Sequence, residues 1–81
     1  MQLPAVRALA QNHSLEELRS AEQALIEERP LAFEVGGGDE GEQLTHILGA
    51  IWIREQMLTD MSFNDALRLF AQRVRDSIVP E

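Results

Sequence analysis

The sequence predicts an all-α fold: a compact four-helix bundle in one domain over residues 1–81, with a short extended segment at 31–35 and assembly into an oligomer. The observations behind this are a recurrence of apolar residues at helical spacing in four blocks and stop signals between those blocks. Only residues 31–35 alternate as a strand would. A chain of 81 residues makes one domain at most and buries a modest core.

The first helix is expected over residues 4–11. Pro4 suits a first helical position, because the N–H it lacks would have no intrahelical partner there. Leu3, Val6, Leu9 and Ala10 share one side. His13 and Ser14 break the pattern, and His13 reads as a turn residue before a cap. Ser14-Leu15-Glu16-Glu17 has the form of a capping box, in which the Ser14 hydroxyl accepts from the Glu17 N–H and the Glu17 carboxylate accepts from the Ser14 N–H. The second helix is expected to reach about residue 29. Its stripe is Leu15, Leu18, Ala21 and Leu25, flanked by Ala24 and Ile26, and Pro30 stops it.

Residues 31–35 read as an extended connector with Phe33 and Val35 tucked into the core. The alternative is antiparallel pairing with a second copy across a two-fold axis. Gly36, Gly37 and Gly38 form a turn. They are not a phosphate loop, since no Lys follows and Asp39 and Glu40 repel phosphate. Asp39 opens the third helix, which is expected to run to about residue 58, with acids in the first turn that favour the helix dipole. Its middle, from Ile47 through Leu48, Gly49, Ala50, Ile51 and Trp52 to Ile53, is apolar on every side, the pattern of a central helix. Three short neighbours are an uncertain cover for it, hence the expectation of an oligomer; the alternative is a monomer whose other helices wrap it completely. Ser62 caps the fourth helix, expected over 63–78, with the stripe Phe63, Ala66, Leu67, Phe70, Val74 and Ile78, and Pro80 beyond its end.

Composition narrows the function. Fourteen acids against seven bases, all of them arginine, leave a net charge of −7. Such a surface repels phosphate backbones and anionic membranes, so neither nucleic acid nor a membrane is an expected partner. The third and fourth helices resemble a helix-turn-helix with Arg68 and Arg75 outward, but the broad basic surface of a DNA reader is missing. No apolar run reaches the ~20 residues of a membrane span, and the first residues lack a signal-peptide pattern, so the expected location is cytoplasmic. Without cysteine there is no disulfide, thiolate metal site or thiol nucleophile.

No catalytic set and no cofactor motif are read from the chain. Ser14 and Ser62 are better explained as caps than as nucleophiles. Glu42 and His46, four apart on one helix face, are the candidate metal ligands, although two are too few for a site and an i,i+4 ion pair or a partly buried histidine is the favoured explanation. The candidate interface residues are Trp52, Ile53, Gly49, Phe33 and Val35. Trp52 has the chemistry of an interface anchor, and Gly49 lets another helix approach closely. These readings favour a non-enzymatic protein-interaction or accessory module that self-associates through the third helix. The alternative is a metal- or small-ligand-binding helical bundle using Glu42 and His46.

Three blocks carry a resemblance. They are the start Met1-Gln2-Leu3-Pro4-Ala5-Val6-Arg7-Ala8-Leu9, the central Gly49-Ala50-Ile51, and the stretch from Asp65 through Arg68, Phe70 and Arg73 to Ile78. In order and spacing they resemble a small uncharacterised bacterial family of short acidic proteins of the Bacteroidetes type. The region between residues 13 and 43 does not share in it. The resemblance implies a helical cytoplasmic protein without an assigned activity, whose genes lie near those of peroxiredoxins or thioredoxins. With no cysteine, this chain would be at most an accessory in such a setting.

Overall fold

The computed structural model describes residues 2–78, with side chains described through Asp76. It contains α1 (Leu3–Asn12), α2 (Leu15–Ile26), α3 (Glu40–Met57) and α4 (Phe63–Ile78). No strand occurs among the described residues, and residues 31–35 run as a connector between α2 and α3. The expected stop at Pro80 and the side chain of Ile78 lie outside the described residues.

The helix ends follow local chemistry. Ser14 and Glu17 form the reciprocal capping box, with bonds of 3.1 and 2.8 Å. α2 ends at Ile26, three residues before the expected 29, because the chain turns before it reaches Pro30. Glu28 adopts left-handed backbone angles (φ 56°), and the Arg29 N–H returns to the Ala24 carbonyl at 2.7 Å. Asp39 caps α3 by accepting from the Glu42 N–H at 2.8 Å, while the Glu42 carboxylate takes the Gly38 N–H instead of closing a full box. The Ser62 hydroxyl accepts from the Asp65 N–H at 3.1 Å and starts α4.

α3 is the axis of the molecule, and α1, α2 and α4 all pack against it. Its apolar circumference is therefore met from three sides by its own chain: Ile47, Ala50 and Ile53 are fully buried, with Val6, Ala10, Leu18 and Ala66 around them. α1 runs parallel to α3. Gln2 contacts His46 near one end and Ala10 contacts Arg54 near the other, at the same sequence offset of 44. α2 turns back along α3, and Arg19 reaches Glu55 at 3.0 Å. The connector leaves α2, stacks Phe33 on His13 at the α1–α2 turn with ring centroids 3.7 Å apart, buries Val35, and brings Gly36 alongside α1.

Gly49 is where α1, α3 and α4 come closest. A Cβ there would lie 2.7 Å from Phe70 Cζ and 3.2 Å from Val6 Cγ1. The close approach that the sequence reserves at Gly49 is thus used by α4 of the same chain. Gly49→Ala is expected to lose stability on thermal or urea unfolding, because overpacking costs about 1–3 kcal/mol against a gain of about 1 kcal/mol in helix propensity. The loss should shrink in a Phe70→Leu background, where the opposing ring edge is absent.

The capping box also titrates. The Ser14 N–H, and after it the Ser14 hydroxyl, hold the Glu17 carboxyl below the ordinary glutamate range. A depressed carboxyl value means that its contribution is complete above the ordinary glutamate value and is lost as pH falls through the folded one. A carbon-detected NMR titration should place the Glu17 midpoint below the ordinary range, and Ser14→Ala should move it part of the way back.

Candidate functional site

His46 is the one fully buried polar side chain among the described residues. α3 presents it toward the start of α1 and toward the glycine turn. Nε2 accepts from the Gln2 N–H at 2.9 Å, and Nδ1 lies 2.5 Å from the Gly36 carbonyl oxygen. A backbone N–H can only donate and a carbonyl can only accept. The ring is therefore the neutral tautomer protonated at Nδ1. Both nitrogens are occupied by main chain, and neither has a lone pair left for a metal. Glu42, one turn earlier, is directed to the Gly38 N–H. Among the described residues no group of three or more His, Cys, Asp or Glu side chains is placed to hold a metal ion. The pairing of Glu42 with His46 expected from their spacing is thus replaced by two separate ties to the same glycine turn.

Arg54, two turns beyond His46, serves the other end of α1. Its Nε donates to the Ala10 carbonyl at 2.7 Å, and one terminal nitrogen lies 3.5 Å from the Gln11 carbonyl. These are among the last carbonyls of a helix and have no intrahelical partner, and a cation there also opposes the negative end of the helix dipole. Sequence reading gave Arg54 no role; an arginine just after the apolar stretch was the available sign.

The remaining candidates divide between core and surface. Ile53, Gly49 and Val35 are buried by their own chain. Phe33 is partly buried through its stack on His13. Trp52 is half-covered: Phe70 lies against it at 6.0 Å between centroids, and the Arg73 guanidinium sits 5.5 Å above the ring. Ser14 and Ser62 cap helices, and Arg68 and Arg75 lie exposed on the outer face of α4. An open groove of 440 Å³ between α2 and the connector, lined by Ser20, Ala24, Arg29 and Phe33, holds no convergent set of catalytic groups.

An outward face of α3 does carry exposed apolar side chains. Leu44, Leu48 and Trp52 follow one another at four-residue spacing, with Leu48 46% exposed. Ile26 on α2 is 59% exposed. It lies seven residues beyond Arg19, on the edge of α2 that Arg19 shares, as Leu48 lies seven residues before Glu55. The sequence places Leu48 in the all-round apolar middle of α3 and Ile26 beside the stripe of α2; both stand exposed, as do Leu3 and Leu58.

These features define a small all-α domain whose polar interior is structural and whose distinctive surface is apolar. The chain belongs to a family of unknown function, DUF6952, which matches residues 1–79. Neither the curated proteins nor the solved structures compared with the chain gave a match. No described helix is long and apolar enough to cross a membrane.

Replacing His46 by Phe keeps a ring of similar shape but leaves the Gln2 N–H and the Gly36 carbonyl without partners. The expected loss is on the order of 2–6 kcal/mol in urea unfolding, at about 1–3 kcal/mol for each orphaned group. Arg54→Met keeps most of the stem and removes the cap; it should lose on the order of 1–2 kcal/mol and raise amide exchange in the last turn of α1.

Proposed function

We propose that this protein is a non-enzymatic interaction module that self-associates through the outward face of α3 and offers its acidic remainder to a second protein. The observation that carries the reading is the exposure of Leu48 and Ile26 beside half-covered Leu44 and Trp52, on a chain with a net charge of −7. Clustered apolar side chains on an otherwise charged surface are characteristic of association sites. The assignment of the serines to helix caps and of both His46 nitrogens to main chain favours interaction over catalysis or metal binding. Of the interface residues expected from sequence, Trp52 stays in the proposed contact, Ile53, Gly49 and Val35 are buried by their own chain, and exposed Leu48 joins it.

Light scattering over a concentration series tests this. The expected result is a mass of twice the chain or more that falls to one chain on dilution. Leu48→Glu should be monomeric at every concentration with an unchanged helical circular dichroism spectrum, since the site is exposed. A wild-type chain that stays monomeric at high concentration would overturn the reading.

A further inference from the structure

The exposed face of α3 has an internal order beyond its apolar character. Leu44, Leu48 and Trp52 repeat every four residues, so they remain on one side of the helix and are apolar to equal distances on either side of Leu48. Charge along the same face is not symmetric. Asp39 and Glu40 stand at its start, while Glu42 lies on the His46 side of α3 and takes the Gly38 N–H; no acid follows on the exposed face until Glu55. At its end the acid is neutralised and a cation is added: Arg19 of α2 pairs with Glu55, and Arg73 of α4 lies over Trp52. The face is thus acidic at one end, apolar in the middle and flanked by arginine at the other.

Resting on the reading that this face self-associates, we infer that its occupant is a second copy of the chain, paired across a two-fold axis through Leu48 with the two α3 helices antiparallel. A two-fold contact is made by the same patch on both copies. With the axis at Leu48, that residue meets its own counterpart, and Trp52 of each copy covers Leu44 of the other. The charge pattern selects the direction. Antiparallel pairing sets the acidic start of each α3 against the arginine-flanked end of the other, and opposes the two helix dipoles favourably. Parallel pairing would bring two acidic starts together on chains that already repel one another.

The chain has no cysteine, so single-cysteine variants report one contact each. Under mild oxidation Leu48→Cys is expected to form a covalent dimer rapidly. Leu44→Cys and Trp52→Cys should each link slowly to themselves, while their equimolar mixture links roughly tenfold faster, because docking raises the effective concentration of that pair. Arg68→Cys, on the outer face of α4, sets the background rate. If the wild-type chain is dimeric by light scattering but Leu48→Cys links no faster than Arg68→Cys, or Leu44→Cys links to itself faster than the mixture, the antiparallel arrangement is overturned and self-association stands. A wild-type chain that is monomeric throughout overturns both.

Discussion

The fold depends on how α3 satisfies the main chain at both ends of α1. An isolated helix of ten residues is marginal in water, and its terminal N–H and carbonyl groups have no internal partners. His46 and Arg54, eight residues apart, reach those two ends from a single neighbouring helix. At a rise of about 1.5 Å per residue they are about 12 Å apart, which matches the eight residues from Gln2 to Ala10 only if the helices lie side by side and parallel. Polar contacts thereby set the register in which Val6, Leu9 and Ala10 meet Ile47, Ala50 and Ile53. Apolar packing alone fixes such a register weakly, because neighbouring apolar positions on α3 offer similar surfaces.

The same histidine ties in the segment with the least regular structure. Residues 27–39 contain neither helix nor strand, so their main chain needs partners from elsewhere. His46 takes the Gly36 carbonyl, Glu42 takes the Gly38 N–H, and Phe33 stacks on His13. Gly36 approaches α1 so closely that a Cβ would stand 3.2 Å from the Ala5 Cβ, and Gly37 holds a φ of 140° that other residues rarely adopt. The glycine triplet is thus a packing device: it lets a connector lie against a helix where a longer side chain would hold it away.

What was legible in the sequence was whatever local chemistry determines. Ser14, Asp39 and Ser62 name the helix starts because a cap is made within four residues, and all three make one. The stripes of α1 and α2 were legible as well, but for Leu3 and Ile26, which are exposed. Longer-range chemistry was not legible. A histidine four residues after a glutamate reads as a pair, and its real partners, Gln2 and Gly36, are 44 and 10 residues away. Likewise, the all-round apolar middle of α3 could not tell which of its sides the chain would cover. That depends on where α1, α2 and α4 sit around it, and the answer turns on tertiary contacts such as Phe70 over Gly49.

That uncovered side is also where the remaining charge becomes informative. Of the seven arginines, Arg54 is committed to a helix end, and Arg19 and Arg73 stand beside the exposed stripe. In a chain with twice as many acids as bases, the neighbourhood of Trp52 thus holds Arg73 beside the neutral pair of Arg19 and Glu55. Two such molecules repel over most of their area, and screening at physiological salt limits that repulsion to roughly 8 Å. Within that range the balance is decided by the local pattern, not the net charge. An arginine-flanked apolar end facing an acidic helix start is attractive, whereas every arrangement that brings acidic surfaces together is not. Net charge, which at first argues against any contact between like copies, therefore acts as a filter on orientation in the pairing proposed for the α3 face.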